Sequence, residues 1–363
     1  MISSGQVGML RDSQFLKTTL RSIATLSERL KLCDVYYTAR RALFGPFAVI
    51  LIYHRVSPVR LPWPSDVVSP GEFEREIAYL RKAAEIIPLD WLVARLREGK
   101  NLPSRTVVIT FDDGYKDNYK IAFPILQKYN VPATIFLTTD YVDSSELFWW
   151  HKLSWAIWNT DIAEFKTINL GRHYLKSTGD RLLAIRKVKA VLEKLAKNQR
   201  NLVLDELLKA LRISIPASLG EELKLTWDEI LKMNRGGISF GAHTASHPDL
   251  TGLSPEEAKH EIIQSKKILE DKLGRSINSF SFPKGAYKAR IIELLKESGF
   301  NHAVTTMPKT LIACSDPYQL GRIPAGGKFE TFKSSLCGAY SDILNTSSWI
   351  RRLTICSRSR HHL

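Results

Sequence analysis

Two adjacent carboxylates, Asp112 and Asp113, stand where an apolar run gives way to a tight turn. The run covers residues 106–109 and is rich in β-branched side chains, and Gly114 follows the two acids directly. Because glycine tolerates backbone angles that other residues avoid, this pattern predicts a buried strand that ends in a loop at the acids. Side chains alternate along a strand, so one carboxylate can bind a metal while the other moves protons. The alternative is a solvated turn, since Asp and Gly both favour turns.

Two histidines four residues apart, His243 and His247, form a second group with chemical potential. This spacing brings two imidazoles together on one helical face or across one tight loop, and with a carboxylate they make a three-ligand site for a divalent metal. Asp113 would complete the set. A metal held by three protein ligands keeps positions open for water, as hydrolysis requires. The alternative is that both imidazoles are ordinary hydrogen-bonding groups.

The segments around these groups predict the elements that must position them. Short apolar segments predict strands at 48–53, 106–109, 133–137, 238–242, 280–282 and 303–306. Strands that alternate with helices form a parallel sheet, open or closed into a barrel, and ligand sites gather at the carboxyl ends of its strands. Four candidate groups fall at such ends: His54, Asp112 with Asp113, His243 with His247, and residues 283–287.

Capping boxes mark the starts of three predicted helices, at Ser69, Thr226 and Ser254, each with a glutamate three residues later. Proline follows Ser69 and Ser254, as is typical of the first helical position. Further helices are predicted at 89–97, at 181–195 and at 289–298 from the spacing of their apolar residues. These helices fit the intervals between the predicted strands.

A barrel is predicted at residues 46–340, and three stretches depart from its strand–helix pattern: one before it, one inserted within it and one after it. Residues 1–45 contain an amphipathic helix at 14–33, which we expect to pack on the main domain, with contact to an anionic membrane as the alternative. Residues 145–223 form an aromatic and basic helical insertion, with eleven Lys or Arg against four acids between positions 172 and 212. Its basic surface is either a solvated helical face or a docking surface for an anionic chain or membrane. Residues 341–363 form a basic tail that we expect to be loosely ordered.

The composition is that of a folded protein rather than a disordered one, with 44% hydrophobic and 25% charged residues. A net charge of +15 indicates an anionic surface or polymer among its partners. The four cysteines lack CxxC spacing, so no cysteine-based zinc site is predicted. Residues 1–6 lack the charged start and apolar stretch of a secretory signal. We therefore expect a cytoplasmic protein, with peripheral contact to the inner face of the cell membrane left open.

These motifs together resemble the polysaccharide deacetylase family, the NodB-homology or carbohydrate esterase family 4 group. The resemblance rests on Thr-Phe-Asp-Asp-Gly-Tyr at 110–115 and on His243-x-x-x-His247. Tyr-His-Arg-Val at 53–56 and Phe-Pro-x-Gly-x-Tyr at 282–287 resemble the subgroup that includes biofilm poly-N-acetylglucosamine deacetylases. The resemblance to the family spans about residues 48–325. The insertion at 145–223 lies outside the part that family members share.

The resemblance implies a distorted (β/α)7 barrel whose substrate is an N-acetylated amino sugar or its polymer. It also implies that Asp113, His243 and His247 hold a divalent ion, most often zinc, and that Asp112 is the general base. In such a reaction the metal polarises the acetyl carbonyl and its bound water, and the base takes the proton of that water.

The remaining roles implied by the resemblance concern the leaving group and the oxyanion. His54 would protonate the departing amine, which is a poor leaving group until protonated. A backbone N–H near Tyr287 would stabilise the oxyanion, and Tyr115 and Pro283 belong to the substrate side of the site. Tyr115 is also expected to pack against the loop and shape it.

One feature of many relatives is absent, because Phe282 rather than an arginine precedes Pro283. Lys284 or Arg322 could orient Asp112 instead, and we favour Arg322. The alternative for Arg322 is a surface ion pair. For His54 the alternative is a structural, hydrogen-bonded histidine at a strand end.

Two other functions also fit the sequence. The same chemistry could act on a lipid-linked or nucleotide-linked amino sugar, which would suit the basic, aromatic insertion. The barrel could instead bind glycan without turnover, but the retained acids, metal histidines and candidate proton donor favour an enzyme. Specific nucleic acid binding is not expected, since only the net charge supports it.

Overall fold

A parallel sheet of short, buried strands forms the centre of the molecule. The computed structural model describes residues 32–59, 66–144 and 146–344. In chain order the strands are β1 (Ala48–Tyr53), β2 (Arg55–Val56), β3 (Val67–Val68), β4 (Glu85–Ile86), β5 (Thr106–Phe111), β6 (Thr134–Leu137), β7 (Glu164–Thr167), β8 (Gly171–Tyr174), β9 (Ser239–Ala242), β10 (Ser279–Ser281), β11 (His302–Thr305), β12 (Leu320–Gly321) and β13 (Ile323–Pro324).

The helices surround this sheet and extend beyond it. They are α1 (Leu32–Phe44), α2 (Pro70–Ala83), α3 (Leu89–Arg97), α4 (Phe123–Lys128), α5 (Trp149–Asn159), α6 (Thr178–Leu192), α7 (Lys197–Leu211), α8 (Ala217–Glu221), α9 (Trp227–Arg235), α10 (Pro255–Leu273), α11 (Ala289–Glu297), α12 (Phe329–Leu336) and α13 (Ala339–Leu344). The three predicted capping boxes are present at Ser69, Thr226 and Ser254. In the described ranges, no helix combines the length and the hydropathy that a transmembrane span requires.

The sheet closes on itself through one short segment. Its strand order is β12-β11-β10-β9-β6-β5-β1-β13, and β4 pairs beside β5. All of these pairings are parallel. Only Arg322 separates β12 from β13, so this segment pairs with β11 on one side and β1 on the other. The result is the barrel that the family resemblance implies, whereas the strand pattern alone also allows an open sheet, and no strand is predicted at 320–324.

Alternate residues of the strands enter two separate hydrophobic clusters. Val49, Leu51 and Tyr53 of β1 join the outer cluster with the surrounding helices. Ala48 and Ile50 join the inner cluster with side chains from the opposite strands, Phe136 and Val304 among them. This alternation defines the inward face of every strand and fixes which polar side chains enter the barrel.

The insertion has a core of its own, which is joined to the barrel by aromatic residues. Helices α5, α6 and α7 pack their apolar faces together, and Tyr115 and Tyr141 from the barrel loops belong to the same cluster. The prediction of a helical insertion is wrong in one respect, because β7 and β8 form an antiparallel hairpin at 164–174. Phe165 and Thr167 are the buried residues of β7, and an alternation over only four residues is too short to stand out from a helical pattern.

Two predictions fall wholly or largely outside the described residues. These are the amphipathic helix at 14–33, of which only residues 32–33 are described, and the loosely ordered tail, of which only residues 341–344 are described. The described part of the N-terminal segment packs on the barrel through Arg40, whose guanidinium donates to Asp342 at 2.6 Å and to Thr310 at 2.6 Å. Both Arg40 and Asp342 are buried.

Candidate active site

Asp113, His243 and His247 meet at the mouth of the barrel, the end formed by the carboxyl termini of its strands. The Asp113 Oδ1 atom lies 3.5 Å from His243 Nε2 and 3.6 Å from His247 Nε2. Ligands bonded to a tetrahedral zinc at 2.0–2.1 Å are separated by about 3.4 Å. The three side chains therefore already have the spacing of a divalent metal site.

Local backbone conformation aims these ligands at one point. Asp113 follows β5 with φ of 75°, and His247 lies in a tight loop after β9 with φ of 61°. The loop, not a helix, is therefore the arrangement behind the His-x-x-x-His spacing. The Nδ1 atom of His243 lies 2.7 Å from the Ser281 carbonyl, to which it donates, so that Nε2 is the ring nitrogen that faces Asp113 and would ligate a metal. The Trp150 ring packs against His247 with centroids 4.7 Å apart.

The polar atoms of this cluster fit a cation. Asp113 Oδ1 is buried and accepts no hydrogen bond from any residue of the described chain. Burial by itself would raise the pKa of Asp113, but the neighbouring histidines outweigh it and hold that pKa well below its usual range. Burial lowers the pKa of His247 to about 3, which favours the neutral imidazole that ligates metals. An anionic oxygen and a neutral imidazole suit a divalent cation such as zinc.

Asp112 has different partners from its neighbour. Arg322 donates two parallel bonds to it, from Nη1 to Oδ1 at 2.7 Å and from Nη2 to Oδ2 at 2.6 Å. Ser281 Oγ donates to Asp112 Oδ2 at 3.1 Å and accepts from Arg322 Nη2 at 2.9 Å. Thr110, one layer deeper, accepts from Arg322 Nη1 at 3.2 Å. Arg322 is thus a buried partner of Asp112 and not a surface residue.

These partners set the charge of Asp112. Burial alone would raise its pKa, but the guanidinium of Arg322, with His243 and His54, holds the pKa below its usual range. Asp112 is therefore a carboxylate, and its oxygens lie as close as 3.9 Å to His243 Nε2. A fixed, ionised carboxylate beside the metal ligands is suited to accept a proton.

His54 follows β1, the neighbour of strand β5, which Asp112 follows. In the β1–β5 pairing, Ile50 is level with Val108 and Ile52 with Thr110, and Asp112 N donates to Tyr53 O at 3.0 Å. Side chains two residues apart share a face, so His54 and Asp112 continue the inward rows of their strands. His54 keeps 27% of its side chain exposed, and its Nδ1 lies 3.9 Å from Asp66.

A cavity of about 450 Å³ opens next to His54. It is bounded by the end of β1, by β3, by the glycine pair at 326–327 and by α12. Thr331 of α12 lines it with an Oγ1 atom that is buried and has no hydrogen-bond partner within the described ranges. The cavity thus lies on the His54 side of the two aspartates.

Other predicted residues lie in different environments. Tyr115 is buried in the insertion core, where its hydroxyl accepts from Trp150 Nε1 at 3.0 Å and lies 3.0 Å from His151 Nε2. This placement favours the packing role over a substrate contact. Tyr287 stacks on Phe282 and donates to Gln319 at 2.9 Å, so its hydroxyl is also engaged.

The loop that follows β10 is tethered to the insertion. Pro283 is buried at the start of the tight turn Pro283–Gly285, two residues after Ser281. Lys284 forms an ion pair with Glu193 at the end of the insertion's α6 and is not the partner of Asp112. Ser281 itself was not predicted as a site residue, and its only signal is a small polar residue between Phe280 and Phe282 at a strand end.

Comparison with known proteins decides the family. Residues 99–303, more than half of the chain, match the family model described as polysaccharide deacetylase. The chain belongs to the polysaccharide deacetylase family. The resemblance inferred from the motifs is thereby confirmed, whereas the subgroup with the Tyr-His motif stays a prediction.

Two curated proteins are similar to this chain in sequence. YxkH of Bacillus subtilis, named for the same family, is 23% identical over 278 residues, which are 76% of this chain and 70% of that protein. A poly-β-1,6-N-acetyl-D-glucosamine N-deacetylase of Staphylococcus aureus is 26% identical over 182 residues. That match covers 48% of this chain and 60% of the staphylococcal protein.

Solved structures of the polysaccharide deacetylase fold agree with the barrel. The Streptococcus pyogenes deacetylase PplD, in complex with acetate, has a TM-score of 0.55 at 19% identity, over 79% of this chain and 96% of that one. IcaB from Ammonifex degensii has a TM-score of 0.54 at 19% identity, over 81% and 97%. These similarities confirm the predicted distorted (β/α)7 barrel.

Proposed function

We propose that this chain is a metal-dependent hydrolase that removes N-acetyl groups from an amino-sugar polysaccharide or oligosaccharide. The observation that carries the proposal is the contrast between adjacent aspartates. Asp113 faces two imidazoles at 3.5 and 3.6 Å, whereas Asp112 is held by a bidentate arginine. One carboxylate is therefore available to a cation and the other to a proton.

The cation site would be formed by Asp113, His243 and His247. A divalent ion bound there, zinc by preference of the ligand set, supplies a Lewis acid for the acetyl carbonyl and lowers the pKa of an attacking water. The fit of the ligand spacing and the unpartnered Asp113 Oδ1 support this assignment.

Asp112 serves as the general base in the proposal. Its carboxylate takes a proton from the attacking water, and Arg322 and Ser281 keep it ionised and hold both of its oxygens in place. A positioned base typically contributes 10²–10⁴-fold to such a rate. Because Arg322 lies inside the barrel, this orientation is shielded from solvent.

His54 serves as the general acid that protonates the departing amine. It follows β1, the strand beside β5. Side-chain alternation along β1 would continue the inward row to it, and its side chain is 27% exposed. The adjacent cavity would hold the sugar that carries the amine, since its volume is within the range of small-ligand sites. Acid and base thereby flank the scissile amide.

The substrate we favour is a polymer of N-acetylglucosamine, in line with the activity named for the staphylococcal relative. A lipid-linked or nucleotide-linked amino sugar remains the second candidate, since the basic insertion and the net charge of +15 suit an anionic substrate. Peripheral contact with an anionic membrane and a cytoplasmic location stay predictions.

The test is acetate release from N-acetylglucosamine oligomers by the full chain, with zinc and with a chelator. We expect turnover that the chelator abolishes and added zinc restores, and a loss of about 10²–10⁴-fold in Asp112→Asn. Asp342→Asn is the matched control, because Asp342 is a buried, arginine-paired aspartate in α13, at the Arg40 contact. A chain that binds zinc and glycan but releases no acetate would instead be a glycan-binding barrel.

A further inference from the structure

The loop that carries both metal histidines is conformationally demanding. Thr244 and His247 have positive φ angles of 64° and 61°, a backbone conformation that residues other than glycine rarely adopt. Such a conformation persists only where the surroundings over-determine it. Within the loop, His247 N donates to Thr244 Oγ1 at 2.9 Å.

Ser246, directly before His247, is held by two charged side chains. Its backbone N–H donates to Glu261 Oε2 at 2.8 Å and its hydroxyl to Glu261 Oε1 at 2.6 Å. Arg200 Nη2 donates to the Ser246 carbonyl at 2.8 Å and to Ser246 Oγ at 3.1 Å. All three residues are buried, so water does not compete for these bonds.

The two charged residues come from different parts of the fold. Glu261 belongs to α10 of the barrel, whereas Arg200 belongs to α7 of the insertion. Helix α7 makes a second contact through its first residue, Lys197, which pairs with Asp140 at 2.6 Å. Asp140 lies after β6, and its backbone N–H donates to Ala245 O of the histidine loop at 2.9 Å. The insertion is thus bonded to the loop directly at Ser246, and indirectly, through Asp140, at Ala245.

A purely structural role for Arg200 would not require this arrangement. A buried guanidinium is costly unless it is well paired, and apolar packing already holds the insertion together. Arg200 instead stacks over Trp149 at 5.0 Å and directs its Nη2 to the residue before a metal ligand. Groups that orient metal ligands in this way commonly set metal affinity.

We propose that Arg200 is a positioning residue for His247. Through Arg200, the insertion sets the affinity of the site formed by Asp113, His243 and His247 for a divalent cation. The inference rests on the proposed metal site and adds a role for residues 145–223. Arg200 touches neither substrate nor metal. It acts by fixing the Ser246 peptide that places His247.

The test compares the zinc affinity of the full chain with that of Arg200→Met, by competition with a chromogenic chelator. We expect a 10–100-fold weaker zinc affinity in Arg200→Met and a smaller loss in Arg200→Lys, which keeps a donor and the charge. Arg40→Met is the matched control, because Arg40 is also a buried arginine but is paired to Asp342 of α13. Its zinc affinity should equal that of the native chain.

Circular dichroism and thermal unfolding show which variants are folded. If Arg200→Met does not fold, Arg200→Lys and Glu261→Gln decide, since both preserve size and each removes part of the Ser246 bonding. The inference would be overturned if a folded Arg200 variant and a folded Glu261→Gln both bound zinc with native affinity. It would also be overturned if Arg40→Met lost as much zinc affinity as Arg200→Met. A native chain that binds no zinc would instead refute the metal site of the proposed function.

Discussion

The two sides of the barrel mouth are built by different means. The base side consists of Asp112, Arg322 and Ser281, whose positions follow from the inward rows of barrel strands. The metal side consists of Asp113, His243 and His247, two of which have left-handed backbone conformations outside the strands. Strand register is sufficient to orient a base. Loop ligands need support from further elements, which here include the insertion.

The largest expected effect separates the adjacent aspartates. Asp113→Asn should lose zinc binding and activity together, because it removes the anionic ligand of the metal side. Asp112→Asn should bind zinc as the native chain does and lose about 10²–10⁴-fold in kcat, because it removes only the base. Equilibrium dialysis with zinc and acetate release measure the two properties. Equal zinc loss in both variants would erase the distinction between the two sides.

The next effect concerns the arginine on the base side. Arg322→Met leaves the buried Asp112 carboxylate without its partner, which should destabilise the chain by about 3–5 kcal/mol. Urea unfolding measures this, with Arg290→Met, an exposed arginine of α11, as the control. An unfolding free energy equal to that of the native chain would contradict the account of the base side.

The same variant should change the pH dependence. In the native chain the pKa of Asp112 is lowered, so the carboxylate stays ionised until pH falls through that lowered value. Removing Arg322 raises the pKa, so the acidic limb of kcat/KM should move toward neutral pH. An unchanged limb in a folded Arg322→Met would mean that Arg322 does not control the ionisation of the base.

A smaller effect tests whether the cavity beside His54 binds the sugar of the substrate. Thr331→Phe should fill part of the cavity beside His54 and lower kcat/KM for N-acetylglucosamine oligomers by about 10–200-fold, the range for altered pocket fit. Hydrolysis of a small aryl acetate, which lacks the sugar, should be almost unchanged. A parallel decrease for both substrates would show that the substitution disturbs the catalytic groups rather than a sugar site.

The smallest effect comes from Ser281. Ser281→Ala removes one hydrogen bond to Asp112, worth about 1 kcal/mol, so we expect a decrease of roughly 5-fold in kcat with zinc affinity retained. The Ser281 carbonyl that accepts from His243 is main chain and remains. A marked loss of zinc affinity in this variant would show that the two sides are not separable at this strand.

Local patterns predicted most of the barrel and most of the candidate site. The apolar run at 48–53 and the capping box at Ser69 specify their elements by themselves, and the observed bounds agree with them. Asp113 and His243 were identified because each ends such a run. The roles of these residues stay predictions until activity and metal binding are measured.

What the sequence did not predict depends on contacts between distant segments. Strands β12 and β13 are two residues each and carry no periodicity, so the closing of the barrel was not expected there. Arg322 lies between these two strands, so no periodic pattern around it distinguishes it from Lys284 as the residue that orients Asp112. Ser281, Glu261 and Arg200 have no local signal, because their roles arise only when three separate elements meet.

The most direct test of the central claim is anomalous diffraction at the zinc edge from crystals of the zinc-loaded chain. The account predicts one peak at about 2.0–2.1 Å from Asp113 and from the Nε2 atoms of His243 and His247, with Asp112 still paired to Arg322 and outside the coordination shell. A peak at Asp112, or none among these three ligands, would contradict it.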